Sequence, residues 1–116
     1  MVAVVRAKFC LDANGEPIAA LPAGINGQNL AISGTSAGSA AFDVSVTGRE
    51  TRVIRIVGSG AFHYRMGSGS APTAVATDPM LPANVVEYIT LLPGQTHIAI
   101  IQDAAATGNV NVSEVA

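Results

Sequence analysis

Along most of this chain apolar residues fall at every second position, and glycine, proline and asparagine interrupt the runs. A period of two marks strands with one buried face, and no segment holds an apolar stripe at helical spacing. From Val2 to Leu11, Val5, Ala7, Phe9 and Leu11 fall on one side and Arg6 and Lys8 on the other, and a loop through Asn14-Gly15 follows. Pro17–Ser39 is uncharged and rich in proline and glycine; within it Asn29–Ser33 can form a short strand carrying Leu30 and Ile32. Ser39–Thr47 alternates cleanly, with Phe42, Val44 and Val46 inward and Asp43, Ser45 and Thr47 outward.

Two hairpins are predicted next. Thr51–Val57 and Ala61–Met66 flank Gly58-Ser59-Gly60, a glycine-bearing loop of hairpin length. Pairing Val57 with Ala61 puts Ile54, Ile56, Phe62 and Tyr64 on one face and Arg55, His63 and Arg65 on the other. A flexible loop, Gly67–Pro72, and an irregular segment with Asp78-Pro79 and Leu81-Pro82 come after. Asn84–Leu92 and Thr96–Gln102 then read as strands around Leu92-Pro93-Gly94-Gln95, a type II turn with proline at its second position and glycine at its third. In that hairpin His97 lies opposite Thr90, and Ile89, Leu91, Ile98 and Ile100 share a face. Asn109–Val115 is the last strand, with Val110 and Val112 inward. The expectation is a single all-β domain of about eight short strands, a β-sandwich or jelly roll with a barrel as the alternative, carrying an arm or loop at 17–39.

Composition sharpens this picture. Thirty of 116 residues are Val, Ile or Thr, as an all-β chain requires. Charged residues make up 12%, against about 25% in ordinary soluble domains. Lys8 is the only lysine beside five arginines, and protein interfaces favour arginine over lysine. A net charge of −2 argues against nucleic-acid binding, which needs a basic patch to neutralise phosphates. Proline, glycine and asparagine break the longest uncharged stretch before it could span a bilayer, and Arg6 and Lys8 cut short any signal-peptide core, so no membrane or export role is expected. One cysteine, Cys10, excludes a disulfide framework and a multi-cysteine zinc site.

Candidate chemistry is thin. Gly34-Thr35-Ser36-Ala37-Gly38 fits G-x-S-x-G, but that motif works on a strand-to-helix turn of a large α/β sheet, which this chain lacks. His63 and His97 show no metal-ligand spacing with Cys10 or a carboxylate. Asp43, Glu50, Asp78, Glu87, Asp103 and Glu114 could meet in space as a carboxylate pair, yet no Trp, two Tyr and three Phe give a poor sugar platform. No glycine-rich phosphate loop opens a helix. The chain therefore reads as a non-enzyme with no cofactor and no metal. Its localised cationic feature is the Arg55/His63/Arg65 strip, either a solvated hairpin face or a set of partners for carboxylates of another protein.

Several segments carry a resemblance. Thr51-Arg52-Val53-Ile54-Arg55-Ile56, Gly67 to Pro72-Thr73-Ala74, Asp78 to Leu81-Pro82-Ala83-Asn84, Glu87-Tyr88, Leu92-Pro93-Gly94-Gln95, and Ile98 to Gln102 with Thr107 to Val110 resemble small β-rich virion proteins of tailed bacteriophages. The resemblance covers residues 50–116, rests on strand and turn punctuation, and transfers no catalytic residue. It implies a capsid cement or decoration subunit, made in the host cytoplasm and placed on the virion head surface. Its partners would be the major capsid protein and further copies of itself. Another virion position (head–tail or tail) and a small glycan or host-surface binding module are the alternatives. On this reading Arg49, Arg52, Arg55, His63 and Arg65 supply charged contacts, and Leu21, Ile25 and Leu30 supply apolar ones from the 17–39 segment.

Overall fold

The computed structural model describes residues 10–11, 17–18, 24–42 and 53–115. Where β-branched and aromatic residues alternate with polar ones these residues are extended, because branched side chains pack well on a pleated surface. Ten strands result: β1 (Cys10–Leu11), β2 (Pro17–Ile18), β3 (Ile25–Ile32), β4 (Ala37–Gly38), β5 (Val53–Gly58), β6 (Phe62–Gly67), β7 (Met80–Leu81), β8 (Glu87–Thr90), β9 (His97–Gln102) and β10 (Gly108–Glu114). No described residue is helical. β1 and β2 form a two-stranded ribbon, with Cys10 opposite Ile18. Most of the first predicted strand, and residues 43–52 with Val44 and Val46, lie outside the described residues.

The remaining eight strands form two antiparallel sheets, β3-β10-β5-β8 and β4-β9-β6-β7. Taken in chain order, the first of the eight pairs with the last, the second with the seventh, the third with the sixth and the fourth with the fifth. A long hairpin rolled across two sheets gives these pairs, which is the winding of a jelly roll. The sheets stay separate, so the barrel alternative does not hold. Ile54, Ile56, Val110 and Val112 from the first sheet share one core cluster with Phe62, Ile98 and Ile100 from the second, and Phe42 joins them. Each such side chain stabilises the fold by about 1.5–3 kcal/mol relative to exposure.

Both predicted hairpins are corrected. β5 pairs with β10 and β8, whereas β6 pairs with β9 and β7, so Val57 does not face Ala61 and the connection Ser59–Ala61 crosses between sheets. The glycines explain why. A three-residue hairpin needs a left-handed residue, yet neither Gly58 nor Gly60 has positive φ. They serve close approach instead: a Cβ on Gly58 would meet the Phe62 ring at 2.7 Å, and one on Gly60 would strike the Thr107 carbonyl. The backbone of this connection bonds elsewhere, Ser59 N–H to the Asn109 carbonyl (3.0 Å) and Asn84 N–H to the Gly58 carbonyl (2.7 Å).

The type II turn at Leu92–Gln95 is present, with Gly94 at φ 87° and Gln95 N–H 3.0 Å from the Leu92 carbonyl. The strands on either side nevertheless diverge: Thr90 pairs with Val53, and His97 pairs with Gly67. In both cases the inward residues still reach one core, because an arch between sheets brings together the same two faces that an in-plane hairpin would align.

Within 17–39 the chain is mostly sheet. β3 runs eight residues as an edge strand on β10, with Asn26 at φ 53° where the register shifts, and β4 follows across a four-residue connection, 33–36.

Candidate functional site

Splitting β5 from β6 separates the cationic strip. Arg55 lies on the outer face of the first sheet, opposite Ser113 and Tyr88, while His63 and Arg65 lie on the outer face of the second, opposite Ile101 and Ala99. These three residues form no common surface. Ile25, at the start of β3, is exposed, and Leu30 is buried in the core. Arg49, Arg52 and Leu21 lie outside the described residues.

The second sheet is covered by its own chain. After β6, residues 68–79 fold back over its outer face and leave Ala74 and Ala99 almost without exposure. The Gly69 N–H donates to Thr96 Oγ1 (2.9 Å) and the Ala74 N–H to Ser36 Oγ (2.9 Å). Gly38 lies so close to Ala71 that no side chain fits between them. The G-x-S-x-G serine thus accepts a structural bond in a β3–β4 connection. Asp78 closes the segment: Arg65 donates from Nε (3.1 Å) and Nη2 (3.0 Å) to Asp78 Oδ1, and the Val75 N–H donates to Asp78 Oδ2 (2.8 Å).

His63 sits beneath, with Nδ1 2.8 Å from the Asp78 carbonyl and Nε2 2.9 Å from Asp103 Oδ1. The bond to the Asp78 carbonyl, against the opposing effect of burial, and then the Asp103 carboxylate hold His63 above its ordinary pKa of 6.5. The Val75 N–H first, then the Arg65 guanidinium, hold Asp78 below the usual carboxylate range although burial opposes them. This cluster binds the protein to itself. Among the described residues no group of three or more His, Cys, Asp or Glu could hold a metal ion.

The first sheet's outer face differs. Asn29 and Tyr88 are exposed on it, Arg55 and Asn111 are half-buried, and Ser113, opposite Arg55, is buried. Asn111 donates to Asn29 Oδ1 at 3.1 Å, Val57 flanks them, and Arg55 is the one charged residue that the described strands place on this face. Beside Arg55 stands Tyr88, 49% exposed, on the edge strand β8. Val85, Val86 and Leu92 extend exposed apolar surface along that edge.

No family model, curated protein or solved structure matches this chain. The geometry stands alone. Among the described residues no helix is long and apolar enough to cross a membrane. The sequence singles out Arg55, His63 and Arg65 but does not show that Asp103 engages His63 and Asp78 engages Arg65. Asp78 and Asp103 lie 15 and 40 residues from His63, separations that carry no local signal. His97, expected opposite Thr90, pairs with Gly67 and is half-buried, with Thr96 Oγ1 2.6 Å from its Nδ1.

Proposed function

We propose that this protein is a non-enzymatic virion structural subunit of the capsid cement or decoration type, docking on the major capsid protein and on copies of itself. The observation that carries the reading is the outer face of the first sheet, where among the described residues Arg55 is the one charge and stands beside the exposed Tyr88. Arginine and tyrosine are the residues that most often dominate protein interfaces, and depletion of charge marks an interface core. Jelly-roll winding supports the reading, since viral capsid domains use it, although lectins do so too. Fold alone assigns no function, so the face must carry the argument.

A glycan-binding module is the second reading, and Tyr88 is the observation in its favour. Among the described residues it is the one exposed aromatic ring, with Phe42 and Phe62 buried and Tyr64 half-buried. One ring is less than the stacked platform sugar recognition uses.

Adding the purified protein to undecorated phage heads tests the proposal. Capsomer-like stoichiometry on the shells, weakened at least about tenfold by Arg55→Glu or Tyr88→Ala, is expected for removal of an interface anchor. A folded protein that stays monomeric and leaves shells bare overturns it.

A further inference from the structure

His63 ties together two loops that are far apart in sequence, and the chemistry of its partners fixes its charge. Nδ1 faces the Asp78 carbonyl at 2.8 Å and Nε2 faces Asp103 Oδ1 at 2.9 Å. A carbonyl oxygen only accepts, and so does an ionised carboxylate. A neutral imidazole has one N–H, so in either tautomer one ring nitrogen would turn a lone pair toward an oxygen lone pair at hydrogen-bond distance. The residue is 8% exposed, which leaves little room for water to mediate. Only the doubly protonated ring donates both bonds.

We infer that His63 is held as an imidazolium and that its second proton is the latch fastening residues 68–79 to the connection after β9, over the outer face of the second sheet. The groups around the ring are consistent with this. Among the described residues, Asp78 and Asp103 are the carboxylates that face it. Arg65, two residues along β6, spends its guanidinium on Asp78. The register neighbours on β9 and β7 are Ile101 and Met80, which carry no charge.

When the ring loses a proton it keeps one partner and drops the other, so the link between the two loops is cut either way. Since the folded ring holds its proton more tightly than an exposed histidine of pKa 6.5, the latch is complete below that pH and lost as pH rises through the raised value. Asp78 keeps its bonds to Arg65 and Val75 in alkali, so the segment loosens without unfolding the sandwich.

Long-range 1H–15N correlation of the His63 ring, with amide exchange of Ala74 and Val75 across the same pH series, tests the latch. Two protonated ring nitrogens are expected at pH 6, with protection of both amides falling about tenfold as the ring titrates. Asp103→Asn replaces an acceptor-only group with one that can donate to neutral imidazole, so the ring's transition should move to lower pH and the loss of protection with it. His63→Gln should flatten the pH dependence. A singly protonated ring at pH 6, or protection that stays level through the ring's transition, overturns the latch. The wild-type measurements decide alone should either variant fail to fold.

Discussion

The two sheets share a core and differ on the outside. The second sheet's outer face carries His63 and Arg65, and residues 68–79 lie over it, so its charges are consumed within the molecule. On the first sheet's outer face the described strands place Arg55 as the one charge, between Ser113 and Tyr88. Two arginines ten residues apart, on one face of a predicted hairpin, would have looked equivalent. Their difference comes from which sheet each strand joins. Arg65 clamps a segment over its own sheet, whereas Arg55 stands on the other sheet between Ser113 and Tyr88.

The largest effect should ignore the difference between the faces. Phe62→Ala removes a ring from the shared core and should cost about 3–5 kcal/mol. Urea unfolding followed through tyrosine emission checks it. Because Tyr64 and Tyr88 report from different sheets, one transition is expected. Two separated transitions would show that the sheets are not one cooperative unit.

The next effect separates them. Asp78→Ala strips Arg65 and the Val75 N–H of their acceptor and should cost about 1–3 kcal/mol, with amide exchange rising in 68–79 and unchanged in β3 and β10. Uniform loss of protection would contradict a local clamp.

A smaller, pH-dependent contrast follows from the same groups. The Asp78 contribution is present above the usual carboxylate range and lost as pH falls through its lowered pKa. The His63 contribution is present below 6.5 and lost as pH rises through its raised one. Protection over the second sheet should therefore peak between those limits, while the Asn29–Asn111 contact on the first sheet stays level. Two-dimensional NMR across pH 3 to 9, a span covering both ordinary ranges, reads both at once.

The smallest effect on stability belongs to the first sheet's outer face. Arg55→Ala should change unfolding free energy by no more than about 0.5 kcal/mol, as surface substitutions away from the core and from hydrogen-bonded clusters do. A larger loss in chemical denaturation would mean that Arg55 holds the fold together as Arg65 does.

The alternation that makes the core was legible from residues alone: Ile54 and Ile56, Ile98 and Ile100, Val110 and Val112 point inward as their period demands. The turn at Leu92–Gln95 was legible because only a left-handed third residue allows it, and Gly94 supplies one. The sheet assignment was not. Hairpin and arch bury the same side chains, and Gly58-Ser59-Gly60 permits either. Burial of Phe62 against Gly58 and the packing of Gly60 on Thr107 select the arch, and both are contacts of the finished fold. β3 was underestimated for a related reason. An edge strand needs only one buried row, so Asn26, Gly27 and Asn29 sit in sheet with little apolar content to announce it.

The rolled winding also sets an order in time. Its innermost pair, β6 with β7, joins segments twelve residues apart, and each further pair encloses the one before until β3 meets β10. Closing a long loop is cheaper once the segments within it are already paired, so zipping from the inside outward avoids most of the entropy that the outermost contact would otherwise demand. On a ribosome, β3 emerges early and must wait unpaired while some seventy-five further residues, 33–107, are made before its neighbour exists. An uncharged strand with that long a wait is exposed to other chains doing the same, and crowded synthesis is where such a protein would first go astray.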